Sequence, residues 1–119
     1  MLLLLAVTLQ LFAGVTVTVN VNDLLNGKKD PYLTTNHAVL EKLVGDEVSS
    51  ELSSIPMDGS NVIQFRLNKE GKLSNLTLVE SSNSQLLDAL STDGVINAFW
   101  KFPKPAQTTI FRIKFDYQK

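Results

Sequence analysis

Few side chains in this sequence have the chemistry of a catalyst or a metal ligand, and the surroundings of each give it a plainer role. His37 is the only histidine and there is no cysteine. Zinc sites draw several ligands from His, Cys and carboxylates, so His37, at a helix start with no second His or Cys, reads as a capping or surface residue. Ser81 and Ser82 carry hydroxyls, but a serine nucleophile needs a base beside it and a sharp glycine-flanked turn. Both read as helix-cap serines. Asp88 and Asp93 would need a pocket to work as a catalytic carboxylate pair, and a core this small does not supply one. They read as solvated or capping groups. Asn75-Leu76-Thr77 fits a glycosylation sequon but falls inside an expected strand. The sequence therefore predicts no enzyme, with no catalytic or metal-ligating residue, no cofactor and no small-molecule ligand.

Composition narrows the partners. Eleven basic and twelve acidic residues leave a net charge of −1, which gives no field to attract nucleic acid. Apolar residues make up 44% and charged residues 19% of the 119, a globular balance, and the length suits one core plus an appendage. Without cysteine there is neither a disulfide framework nor a lipid-modified N-terminal cysteine.

That appendage is the uncharged start. Residues 1–21 carry a dense leucine-rich block of signal-peptide length, which reads as a signal peptide or an inner-membrane anchor. The second reading is a strand: Val15-Thr16-Val17-Thr18-Val19-Asn20-Val21 alternates at period two. Residues 22–35 read as a linker, and residues 36–119 as the folded domain.

Within that domain a helix is expected from Thr34, Thr35 or Asn36, with Val39, Leu40, Leu43, Val44, Val48 and Leu52 on one stripe. Pro56 and Asp58-Gly59 end it. Asn61 to Leu67 alternates as a strand with Ile63, Phe65 and Leu67 on one face. Asn68-Lys69-Glu70-Gly71 makes a hairpin loop, and Leu73 to Ser81 returns. A second helix runs from Gln85 to about Phe99, with a kink expected at Asp93-Gly94. Pro103 and Pro105 hold Lys101 to Pro105 extended, and Thr108 to Tyr117 alternates as the last strand. The fold class is α+β: a three-stranded antiparallel sheet packed against two helices.

The ordered set of these elements resembles the TonB/TolA C-terminal domain family. Its pattern appears as Phe65 to Leu73 around the Asn-x-x-Gly turn, Glu80-Ser81-Ser82 leading to Leu87-Asp88, Trp100-Lys101-Phe102-Pro103-Lys104-Pro105, and Ile110 to Tyr117. Asn83 stands where the pattern has glycine. The resemblance implies a non-enzymatic module of the periplasm that binds an envelope or outer-membrane protein, with a place in energy transduction or transport. It also implies that the last strand receives a strand from that partner. The expected binding residues are Ile110, Phe111, Arg112, Ile113, Lys114 and Phe115, with Trp100 and Phe102 as an aromatic surface beside them. The alternative is a structural subunit of an envelope assembly, with the N-terminal segment built into the fold.

Overall fold

A computed structural model describes residues 14–52 and 54–119. The order is β1 (Gly14–Val19), α1 (Pro31–Glu51), β2 (Gly59–Leu67), β3 (Leu73–Glu80), α2 (Gln85–Ala98), a 3-10 turn over Phe99–Lys101, and β4 (Thr109–Gln118). The α+β class holds: among the described residues there are two α-helices and an antiparallel sheet, but the sheet has four strands in the order β1-β4-β2-β3. The additional strand is the valine-threonine alternation. Val15, Val17 and Val19 lie opposite Tyr117, Phe115 and Ile113, so the apolar side of β1 extends the apolar side of β4. Residues 14–21 therefore belong to the folded unit, and the division at residue 21 is corrected; the part of the expected leader or anchor that falls on residues 1–13 lies outside the described residues. Among the described residues no helix is long and apolar enough to cross a membrane.

The first helix begins earlier than its stripe suggested. Asp30 caps it, its carboxylate accepting from the Leu33 N–H at 3.1 Å, and Pro31 opens the first turn. Aspartate at the cap followed by proline is a start signature, so residues 31–35 are helix and not linker. Leu33, Leu40, Val44 and Val48 form its buried stripe, while Val39 is half exposed.

Alternation in β2 and β4 sends Ile63, Phe65, Leu67, Phe111, Ile113, Phe115 and Tyr117 to the face that carries the helices, where each is 2% exposed or less. α2 runs unbroken through Gly94, contrary to the expected kink. A Cβ there would lie 2.6 Å from Val48 Cγ2, so the missing side chain is what lets the two helices close on each other. The turn positions carry their own chemistry. Gly71 takes φ +86 in the hairpin loop, and Asn83 takes φ +67. Asparagine tolerates that left-handed region better than most residues, which accounts for its standing where the family pattern has glycine.

Candidate functional site

The last strand, expected to offer a free edge, is interior. On one side β4 pairs with β2 along its length, from Leu67 opposite Thr109 to Gly59 opposite Tyr117. On the other side Ile113 to Gln118 pairs with β1, and the Asn20 N–H donates to the Arg112 carbonyl at 2.9 Å. The expected receiving edge is thus already occupied over Arg112 to Tyr117. The cause is β1 itself, whose outer side is tied down in turn: the Val19 N–H donates to Glu41 Oε2 of α1 at 2.9 Å, and a Cβ on Gly45 of α1 would lie 3.6 Å from Val17 Cγ2.

Side chains follow the same division. Phe111, Ile113 and Phe115 are fully buried in the core and present nothing to a partner. Arg112 and Lys114 lie on the opposite, open face of the sheet, where Arg112 donates to Gln64 Oε1 at 2.6 and 3.0 Å. Phe102 is buried too, 6.0 Å from Phe111 and 6.4 Å from Phe65 between ring centroids. It is a core residue, a correction to its place on the aromatic surface. Trp100 is 68% exposed, with the Lys101 ammonium 5.3 Å from its ring centroid.

Only the start of β4 escapes β1. The chain leaves the sheet after Asn20, and Asn22 bridges Lys29 as the 22–29 segment turns away. In an antiparallel strand backbone polar groups point alternately to the two neighbours. Ile110 therefore directs its N–H and C=O to the same side as Arg112, where no strand of the described residues lies beside it. In that space is a cavity of about 370 Å³ lined by Asp23, Leu25, Asp30, Gln107, Thr108, Thr109 and Ile110. A second, about 160 Å³, shares Asp30, Gln107 and Thr109 with it and reaches Pro31 and Tyr32. Together they form a groove that, among the described residues, is lined by two carboxylates and no cation. Tyr32 donates its hydroxyl to the Pro103 carbonyl, fixing the groove's far wall; burial, with help from the Asp30 charge, pushes that phenol up to about 12.

The serine cluster and Asp88, read from the sequence as helix caps, form a polar chain into the core. Ser84 caps α2 by accepting from the Leu87 N–H. Asp88 accepts from Ser81 Oγ at 2.6 Å, Ser82 Oγ at 2.7 Å, the Ser82 N–H at 2.9 Å and Asn61 Nδ2 at 3.0 Å. Partial burial pushes the carboxyl upward, but these donors outweigh it and hold it down at about 2. Buried Asn61 accepts from Ser91 Oγ at 2.7 Å, and Ser91 shares a 2.6 Å hydrogen bond with Tyr117. Burial raises the Tyr117 phenol to about 12, with the Asp88 charge adding to it against the Ser91 bond. Every polar member is satisfied, so this is a clamp between the β3–α2 turn, β2 and β4. No nucleophile is freed by it.

Residues 52–118 match the family model of the Gram-negative bacterial TonB protein C-terminal; this is more than half of the chain, and the chain belongs to that family. Two NMR solution structures of the TonB C-terminal domain of Helicobacter pylori share the fold. One is 21% identical with a TM-score of 0.53, over 66% of this chain and 78% of that one. The other, a shorter piece, is 17% identical with a TM-score of 0.54, over 76% of this chain and 96% of that one. No curated protein matches the chain.

Proposed function

We propose that this chain is a non-enzymatic protein-binding module of the periplasm, serving transport or energy transduction at the cell envelope. An extended segment of its partner enters the groove beside Thr108 to Ile110. The observation that carries this is the backbone of Ile110, which no strand of the described residues covers, in a strand whose remaining length is closed by β1. A peptide lying there continues the line of β1 and pairs with the Ile110 N–H and C=O, as strand addition requires. Asp23 and Asp30 favour a Lys or Arg in that peptide, and Leu25, 82% exposed, offers it an apolar contact. Family membership supports protein binding as the general role, and the shared fold of the Helicobacter TonB domain supports the envelope setting.

The test is selection of extended peptides from a displayed library on the whole protein, followed by NMR titration. Peptides carrying a basic residue should shift the amides of Asp23, Leu25, Thr109 and Ile110. Ile110→Pro removes an N–H that β2 does not use, so the fold should persist while binding falls at least tenfold. Selected peptides that shift only other surfaces, or bind Ile110→Pro equally well, would refute the groove as the site. The structural-subunit alternative predicts no peptide selected at all.

A further inference from the structure

The other edge of the sheet is β3, and its register leads elsewhere. Odd residues of β4 point their backbone groups at β2, so Ile63 and Phe65, opposite Ile113 and Phe111, are committed to β4. Gln64 then faces Thr77, and the residues on either side, Leu76 and Leu78, turn their N–H and C=O groups outward. Their side chains stand on the helix-bearing face: Leu78 is opposite Ile63 and 41% exposed, and Leu76 packs at the margin of the core. Natural edges are usually guarded by lysine, proline or an inward-pointing charge. β3 has none of these, and its one charged residue is Glu80 at the end. Its guard is a pair of irregularities, near Val62/Ile63 and between Gln64 and Arg66, the second with Asn75 at φ +56. Between them Leu76-Thr77-Leu78 is straight and, among the described residues, has no strand on its outer side.

This short stretch is complementary to itself. We propose that β3 docks antiparallel on β3 of a second copy, about a two-fold axis through Thr77. In that register Leu76 of each copy exchanges both backbone bonds with Leu78 of the other, and Thr77 faces Thr77, a favourable cross-strand pair. The four leucines meet on the helix-bearing face and join the two cores. Each Glu80 falls toward Ser74 of the other copy, so no like charges oppose each other, and a net charge of −1 per chain adds little repulsion. The two sheets become one of eight strands with β1 at both ends. The contact is small, so the pairing is reversible and concentration-dependent. It leaves the groove beside Ile110 untouched and does not rest on that reading.

The chain lacks cysteine, which makes the test clean. Facing Thr77 residues form a non-hydrogen-bonded pair with Cα atoms roughly 4.5 Å apart, inside the range a disulfide spans. Under mild oxidation Thr77→Cys should form a covalent dimer at least tenfold faster than Thr18→Cys, an exposed control on β1. Adding Leu78→Pro, which removes an outward N–H that β2 does not need, should abolish the difference. Sedimentation of the native chain should show a mass rising from 13.1 kDa toward twice that with concentration, and Leu78→Pro should remain monomeric. Equal cross-linking of the two cysteine variants, a native chain monomeric at millimolar concentration, or a dimer that survives Leu78→Pro would each overturn the proposal.

Discussion

The Tyr117 hydroxyl lies 2.6 Å from that of Ser91, and through Asn61 this buried pair is joined to Asp88 at the surface. Tyr117 is on the last strand, Asn61 on the neighbouring β2, and Asp88 on α2 answers the β3–α2 turn, so one chain of hydrogen bonds ties the turn and α2 to the paired strands. Removing a member leaves the others desolvated without partners.

Asp88→Ala should therefore cost about 2–4 kcal/mol, since it removes the acceptor that Ser81, Ser82 and Asn61 share; chemical denaturation measures it. The pH sign follows from the depressed carboxyl. Its folded value of about 2 lies below the roughly 4 of an unfolded aspartate, so the unfolded chain binds the proton first. The contribution is complete above pH 4 and is lost as pH falls toward 2. Asp88→Asn should show a shallower acid limb. Tyr117 and Tyr32, both raised to about 12, act at the other end. Folding holds their phenols neutral, so stability should decline as pH rises above 10.

Gly94→Ala should destabilise even though alanine is the better helix former by about 1 kcal/mol. Its methyl would meet Val48 Cγ2, and overpacking of this kind costs about 1–3 kcal/mol. Val48→Ala in the same chain should recover part of the loss, and a double-mutant cycle in denaturant reads the coupling.

Val17→Asp should release β1 by placing a charge against α1. Hydrogen exchange resolves the result by residue: Lys114 and Asp116, which point to β1, should lose at least about tenfold of their protection, equal to some 1.4 kcal/mol. Ile113 and Phe115, bonded to β2, should keep theirs.

Phe102→Ala should cost about 3–5 kcal/mol as a large core truncation, whereas Trp100→Ala should stay within about 0.5 kcal/mol. Trp100 is the only tryptophan, so native fluorescence should already resemble that of a solvated indole and shift little on unfolding.

Much of this fold is legible in the residues. Period-two runs located β2, β3 and β4 to within two residues, and Gly71 marked the hairpin. The Asp30-Pro31 start of α1 was equally readable, but a nearby Gly and two lysines made a linker the simpler inference. The strand at Val15 to Val19 was visible as alternation; what alternation does not encode is its neighbour. Whether those valines pair with β4 or with nothing depends on contacts across about a hundred residues, and on that pairing turned which edge stays open. Phe102 and Trp100 were likewise indistinguishable by type. One faces the sheet and the other water because the 3-10 turn over Phe99–Lys101 rotates successive side chains apart.

The position of β4 also sets an order of assembly. This strand follows the other three in sequence, yet it lies between β1 and β2 and, among the described residues, is the strand that links β1 to the rest of the sheet. The β2–β3 hairpin can close alone, whereas β1, though it has α1 to rest on through Val19 and Glu41, finds no strand to pair with until β4 is present. Closure of the sheet is thus tied to the arrival of β4, and a chain cut short before Thr109 would hold β1 and the β2–β3 hairpin as two separate remnants of a sheet.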